Sequence, residues 1–416
     1  MLQFFVIAYC FYLFFTIYTS FMQIGFVKDA TKKRAIILST KKYHEAANYS
    51  IDKEKLAISS SFFDFIIFII WLSFGLKFLD NQINIDNPIL KAVLFINLFI
   101  IINWFLSLPF SLYQTFKLDK KYGFSNITPA LYIKDTIKSA FLTVVFGSLV
   151  IAGISYIILN FPSWWIFGFI FIFAVIVLIN MLYPLIRDKM FDKFEKLKDV
   201  ELEEKINALL KEVGFKSSGV FSVDASKRDS RLNAYFGGLG STKRVVLFDT
   251  LIEKLTHNEL LAVLGHELGH FKNGDILKNI GIMGLVMFVF FAIFGNLNDE
   301  LFLSLGLKNE PYAIIVVFLI FSTVLSFFLM PLISLISRHN EYAADDFGAN
   351  LSSKEDLVKA LLKLANENKS FPYSHKLYIF FYFSHPPLIE RFKELGYDVE
   401  KEKFIWFLNL KVQISF

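Results

Sequence analysis

Long apolar runs alternate with short, lysine-rich polar stretches along this chain. Seven runs are long enough to cross a bilayer, which takes about 20 mostly apolar residues in a helix. They cover residues 2–26, 60–79, 88–112, 139–161, 164–186, 279–298 and 312–335. Elsewhere the period changes. The stretch "DVELEEKINALLKEV" (199–213) has helical apolar spacing, and Gly214 ends it. The stretch "GVFSVDAS" (219–226) alternates like a strand, and "RLNAYFGGL" (231–239) is a strand running into glycines. "KRVVLFDTLIEKL" (243–255) reads as a strand entering a helix. Asn258 is placed to cap the helix that follows. Residues 338–350, 354–368 and 386–396 read as further helices. The expected fold is mainly α and multipass in a membrane, with a small α/β domain. Five spans fall in a membrane domain over 1–186. The second domain covers 187–416 and is interrupted by spans at about 279–298 and 312–335.

Composition strengthens that reading. The chain is 55% hydrophobic and only 19% charged, with 51 phenylalanines, too little charge to cover a soluble protein of 416 residues. The single cysteine, Cys10, lies inside the first run, which excludes intrachain disulfides and cysteine-based metal sites. The first run does not read as a cleaved signal, because its positive charges follow it rather than precede it. The net charge of +5 is unevenly placed. Segment 27–58 carries eight lysines and arginines, 114–138 carries five, and Arg187, Lys189, Lys193, Lys196 and Lys198 follow the fifth run. The turns at 81–90 and 160–165 have none, and 296–311 has only Lys308. Basic loops stay on the cytoplasmic side. The N-terminus is therefore expected outside, with 187–278 and 336–416 in the cytoplasm. No basic stripe with interleaved aromatics is present, so no nucleic-acid partner is expected. Asp64 and Lys77 lie near enough to span ends to be solvated. Asn97, Asn103 and Asn180 either line a wet interior or join helices.

Candidate chemistry centres on "VLGHELGHFKNGD" (263–275). His266 and His270 are four apart and share a helix face, so two imidazoles can reach one metal. Glu267 adjoins the first and is placed to take a proton from a water at that metal. This is the physical content of an H-E-x-x-H helix. With seven histidines in the chain, a chance match is rare. Gly265 and Gly269 suit a helix that approaches another backbone closely. A tetrahedral zinc site needs one more protein ligand. Glu341, within "SRHNEYAADDFGA" (337–349), is the first choice, with His339 and Asp346 as alternatives. Asp345, one turn on, is placed to orient a ligand histidine from the outer sphere. Arg338 is placed to pair with Glu341, either beside the metal or as the partner of an ordinary surface glutamate.

The succession of "HELGHFKNGD", two spans, "SRHNEYAADDFGA" and "SHPPLIERFKEL" (384–395) resembles the type I CAAX prenyl proteases, which are membrane-embedded zinc endopeptidases. "KYGFSNIT" (121–128) and "RLNAYFGGL" extend the resemblance over most of the chain. It implies seven transmembrane helices enclosing a chamber, capped by the zinc domain. It implies one Zn2+ on His266, His270 and Glu341, with Glu267 as general base. His385 and Arg391 would steady the oxyanion and the substrate end. Without the family, His385 reads as a helix-start residue and Arg391 as a solvated helix charge. Asn233, Ala234 and Tyr235 would lie on the strand that receives an extended peptide. The implied substrate is a peptide or protein with a C-terminal C-a-a-X tail, cut after a prenylated cysteine. Two other readings compete. One is a quality-control protease of the HtpX-like branch, without prenyl dependence. The other is a transporter or scaffold, against which stands the lack of an inverted repeat. The topology has a direct test: a reporter fused after residue 306 is expected to report the outer side, and a cytoplasmic signal there would overturn the seven-span order.

Overall fold

The computed structural model describes residues 2–238 and 243–399. Residue 239, at the end of the "RLNAYFGGL" stretch, and residues 400–416 lie outside the described residues. Each of the seven apolar runs is a helix, the one open-ended structure that satisfies its own main chain in lipid. They are α1 (Leu2–Ala30), α2 (Thr40–Ile70), α4 (Pro88–Tyr113), α6 (Pro129–Asn160), α7 (Trp164–Met190), α11 (Asp275–Gly295) and α13 (Pro311–Leu351). Several outrun the bilayer. Helix α2 passes through a π-helical turn (Trp71–Gly75) into α3 (Leu76–Gln82), 43 residues in all. At about 1.5 Å per residue that is about twice the ~30 Å hydrocarbon core. Helix α4 likewise runs through Gln114–Leu118 into the short α5 (Asp119–Lys121). Asn87 and Thr128 cap α4 and α6, each followed by a proline already set for a first turn.

One large apolar cluster joins these helices, and it lies at one end of them. It gathers Phe5 of α1, Trp71, Leu76 of α3, Phe95 of α4, Phe294 of α11 and Phe321 of α13. The short α12 (Asp299–Ser304) adds Phe302. Lys91 ties the rim together, pairing with Asp80 at 2.7 Å and lying over the Tyr312 ring. Toward the other end smaller contacts take over, such as Ile24 and Val27 against Ala47 and Ile51. Two of the embedded asparagines join helices. Asn97 donates to Ser148 Oγ at 3.1 Å, and Asn103 accepts from Trp71 Nε1 at 3.1 Å. Asn180 donates to Ile176 O of its own helix.

The α/β part is a four-stranded sheet of order β1-β2-β4-β3. Its strands are β1 (Phe194–Lys196), β2 (Val220–Val223), β3 (Ala234–Gly237) and β4 (Arg244–Phe248). Strands β2 and β4 are parallel, and the other pairs are antiparallel. Helix α8 (Val200–Val213) ends at Gly214, whose φ of 74° is the left-handed geometry a glycine supplies without strain. After β4 come α9 (Asp249–Lys254) and α10 (His257–Lys272). Leu202 and Ile206 of α8, Leu264 and Leu268 of α10, and Val245 and Leu247 of β4 form one core. Three short helices close the described chain: α14 (Lys354–Glu367), α15 (Lys376–Tyr382) and α16 (Leu388–Glu394).

Two details differ from the sequence reading. Thr256, not Asn258, caps α10, because Glu259 completes a reciprocal capping box with it. Residues 338–350 are not a separate helix. They are the end of α13, which runs 41 residues through Pro331 without a break.

Helices α10 and α13 cross with their backbones in contact. A Cβ added at Gly269 would stand 2.8 Å from Ala344 Cα, and one at Gly348 would stand 2.6 Å from His266 N. Gly265 meets Gly348 Cα at 3.3 Å by the same measure. Overpacking a filled contact costs about 1–3 kcal/mol. Gly269→Ala and Gly348→Ala are therefore expected to lower the thermal midpoint in detergent and to reduce bound metal. An unchanged midpoint with full metal content would show that the crossing tolerates separation.

Candidate metal centre

The crossing places one turn of α10 against the last third of α13. His266 and His270 project from α10 toward Glu341 of α13. His266 Nε2 lies 3.5 Å from Glu341 Oε2, and His270 Nε2 lies 3.3 Å from Glu341 Oε1. One ligand atom from each of the three residues falls within 4.8 Å of the others. Bonds of about 2.0–2.1 Å from a tetrahedral ion would put its ligand atoms about 3.4 Å apart, so the set fits zinc.

The outer nitrogens are also held. His266 Nδ1 is 2.8 Å from Asp345 Oδ1, and His270 Nδ1 is 3.0 Å from Asp275 Oδ2. A carboxylate behind each imidazole turns both Nε2 atoms inward. Asp275 is the first residue of α11. The chain reaches it through Gly274 at φ 70°, which doubles it back toward His270. Arg391 of α16 closes the far side, gripping Asp345 with Nε at 2.7 Å and Nη2 at 2.5 Å. Tyr342 assists by donating to Glu390 Oε2 of the same helix.

Charge gives a second test of fit. Asp345 is answered by Arg391, and Asp275 by Lys278 at 2.9 Å. Glu341 is 3% exposed, and its Oε2 is buried with no hydrogen-bond partner among the described residues. Glu267 likewise has no hydrogen bond or ion pair among the described residues. Glu341, buried between two imidazoles, is negative charge that a bound dication would answer. The imidazoles register the same surplus. Burial pulls His266 down, but the Asp345 and Glu341 carboxylates outweigh it and hold it up at about 9. Burial also pulls His270 down, and Glu341 and Asp275 more than offset it.

The remaining predicted residues divide. His385 joins the cluster from the solvent side, Nε2 at 3.3 Å from Glu341 Oε1 and Nδ1 at 2.9 Å from Ser384 Oγ. Arg391 is buried behind Asp345 rather than open to a substrate, with Nη1 3.9 Å from Glu341 Oε2. Arg338 does not pair with Glu341. It donates instead to Ile379 O at 3.1 Å and Phe383 O at 2.6 Å, capping α15. Asn233 and Ala234 stand at the start of β3, whose outer edge pairs with no strand among the described residues. Tyr235 turns to the opposite sheet face, with Val223 and Val246. Asp275 was not predicted, although it closes the motif "HELGHFKNGD".

A histidine pair and its neighbouring glutamate on the sheet-seated α10, meeting a carboxylate on the long apolar α13, are the parts of a membrane-integral metallopeptidase. Comparison with known proteins specifies the family. Residues 196–399 match the model of peptidase family M48, and residues 23–193 match "CAAX prenyl protease N-terminal, five membrane helices". CAAX prenyl protease 1 of Saccharomyces cerevisiae is 32% identical over 396 residues, covering 87% of each chain. The CAAX prenyl protease 1 homolog of Dictyostelium discoideum is 32% identical, covering 94% of this chain and 96% of its own. The crystal structure of S. mikatae Ste24p superposes with a TM-score of 0.85 at 28% identity, over 94% of this chain and 97% of that one. The chain belongs to the type I CAAX prenyl protease family within peptidase family M48, and it is an integral multipass membrane metalloprotease.

Removing an outer-sphere carboxylate typically weakens metal binding about 10–100-fold. Asp275→Ala is expected to weaken metal affinity in that range in a competition titration with a chelator, while Glu341→Ala loses the metal outright. Wild-type affinity in Asp275→Ala would show that His270 is oriented without it.

Proposed function

We propose that this protein removes the C-terminal tripeptide of C-a-a-X tails after a prenylated cysteine, using one zinc ion at the cytoplasmic membrane face. The observation that carries the reading is the inward convergence of His266, His270 and Glu341 beside an unpaired Glu267. The names of the relatives support the substrate, and the lysine-rich loops support the orientation. A zinc ion on the three ligands supplies Lewis acidity to a water and to the scissile carbonyl. Glu267 receives the proton of that water and passes it to the leaving amine. His385 Nε2 lies 3.3 Å from Glu341 Oε1, so a proton carried on Nε2 points into the site, where it can meet the developing oxyanion. Arg391 acts through Asp345, fixing the acceptor that orients His266.

The substrate strand lies along β3. Asn233 O accepts from Phe248 N, so Asn233, Tyr235 and Gly237 turn their main-chain groups toward β4. The register leaves the N–H and C=O groups of Ala234 and Phe236 on the outer edge. These two residues, more than Asn233 or Tyr235, hold an extended peptide by strand addition.

The test is cleavage of a fluorogenic C-a-a-X peptide, with and without a farnesyl group, by the purified protein in detergent. Farnesyl-dependent cleavage that a chelator abolishes is expected. Glu267→Gln is expected to lose about 10²–10⁴-fold in turnover while retaining metal. Retained turnover would overturn the base assignment. Cleavage indifferent to farnesyl would move the substrate reading to quality control.

A further inference from the structure

His385 has little packing of its own. Its side chain is 63% exposed, and it sits on a short arch between α15 and α16. Its position is therefore inherited from the two ends of that arch. The α16 end is fixed by Arg391 on Asp345. The α15 end is fixed by the membrane helices, through polar side chains that the catalytic chemistry does not use, among them Gln23, Glu54 and Arg338.

Gln23 of α1 receives the first turn of α15. Its Oε1 accepts from Ser374 Oγ and His375 N, both at 2.9 Å. Arg338 of α13 holds the last turn through Ile379 O and Phe383 O, two residues before His385. Between them lies Glu54 of α2. Glu54 is 3% exposed, and no cation lies within ion-pair distance of its carboxyl group among the described residues. Oε1 accepts from Tyr378 Oη at 2.6 Å, and Oε2 accepts from Ser20 Oγ at 2.8 Å. A buried acid without a cation is costly, and these two hydroxyls are what satisfy it. It links three elements at one point: α1, α2 and α15.

We infer that the Tyr378–Glu54 hydrogen bond is a positioning latch, by which the first two membrane helices set the place of His385 opposite Glu341. Tyr378 and Glu54 make none of their hydrogen bonds to the metal ligands. They act by fixing α15, and α15 fixes the arch. The inference rests on the protease reading above, and in particular on His385 meeting the reacting carbonyl.

The test is a double-mutant cycle on the full-length protein in detergent. Tyr378→Phe removes one oxygen and keeps the ring. Misplacement of a catalytic group by about 1 Å can cost about 100-fold. The variant is expected to lose about 10- to 100-fold in kcat, with KM, metal content and thermal midpoint little changed. In a His385→Ala background the same substitution is expected to cause no further loss, because the group it positions is gone. Glu54→Gln keeps an acceptor for Tyr378 and is expected to recover most of the activity that Glu54→Ala loses. Wild-type kcat in Tyr378→Phe, or an equal loss in both backgrounds, would overturn the latch. If His385→Ala alone keeps full kcat, the role of His385 fails and takes the latch with it. Turnover retained in Glu267→Gln would instead sink the protease chemistry, whatever the latch variants show.

Discussion

The distance between α10 and α13 governs the site. Glycine in a helix costs roughly 1 kcal/mol relative to alanine, yet Gly265, Gly269 and Gly348 all stand at this crossing, with Ala344. Only main-chain contact brings an imidazole on one helix to within 3.3 Å of a carboxylate on the other. The two helices have different foundations. Helix α10 is seated on the sheet through Leu264 and Leu268, whereas α13 is a membrane span that continues past the lipid to Glu341. The metal centre is the joint between them. Movement of the span relative to the sheet would be felt first as a change in ligand geometry.

Around that joint the charges are graded outward. Glu341 faces the centre, Asp345 and Asp275 stand behind the imidazoles, and Arg391 and Lys278 stand behind those. Each layer orients the one inside it. Arg391 suits its place because a guanidinium meets a carboxylate with two parallel donors, which fixes direction as well as charge. A lysine there could neutralise Asp345 but not aim it.

Sequence disclosed what is local and periodic. The spans follow from run length, and the paired histidines follow from helical spacing. Glu341 was legible from its neighbourhood rather than its spacing, since two spans separate it from the histidines. The outer layers were less legible. Asp275 depends on a left-handed turn at Gly274 that reverses the chain, so its five-residue distance from His270 carries no helical meaning. Arg338 and Arg391 exchanged roles with what sequence proximity indicates. Arg338 is three residues from Glu341 but points to α15, while Arg391, 50 residues on, reaches back to Asp345. Proximity along a helix gives the face, not the partner. Thr256 was readable as a cap, because Glu259 stands three residues later in the capping-box position.

The membrane domain does more than anchor the catalytic part. The loop after α5 runs beside residues 228–231, just ahead of the edge strand β3. Asn126 N donates to Arg228 O at 3.0 Å, Ser230 N donates to Phe124 O at 2.9 Å, and Ser125 bridges Asp229. Arg231 lies 4.0 Å over the Phe124 ring and pairs with Asp119 at 3.0 Å. Arg228 reaches α6, with Nε 2.8 Å from Asp135. The segment leading into β3 is thus held by α5, the loop after it and α6, and the arch bearing His385 is held by α1, α2 and α13. The large apolar cluster at the far end then has a consequence at the near end. By fixing the helices to one another there, it fixes the supports of both β3 and the arch.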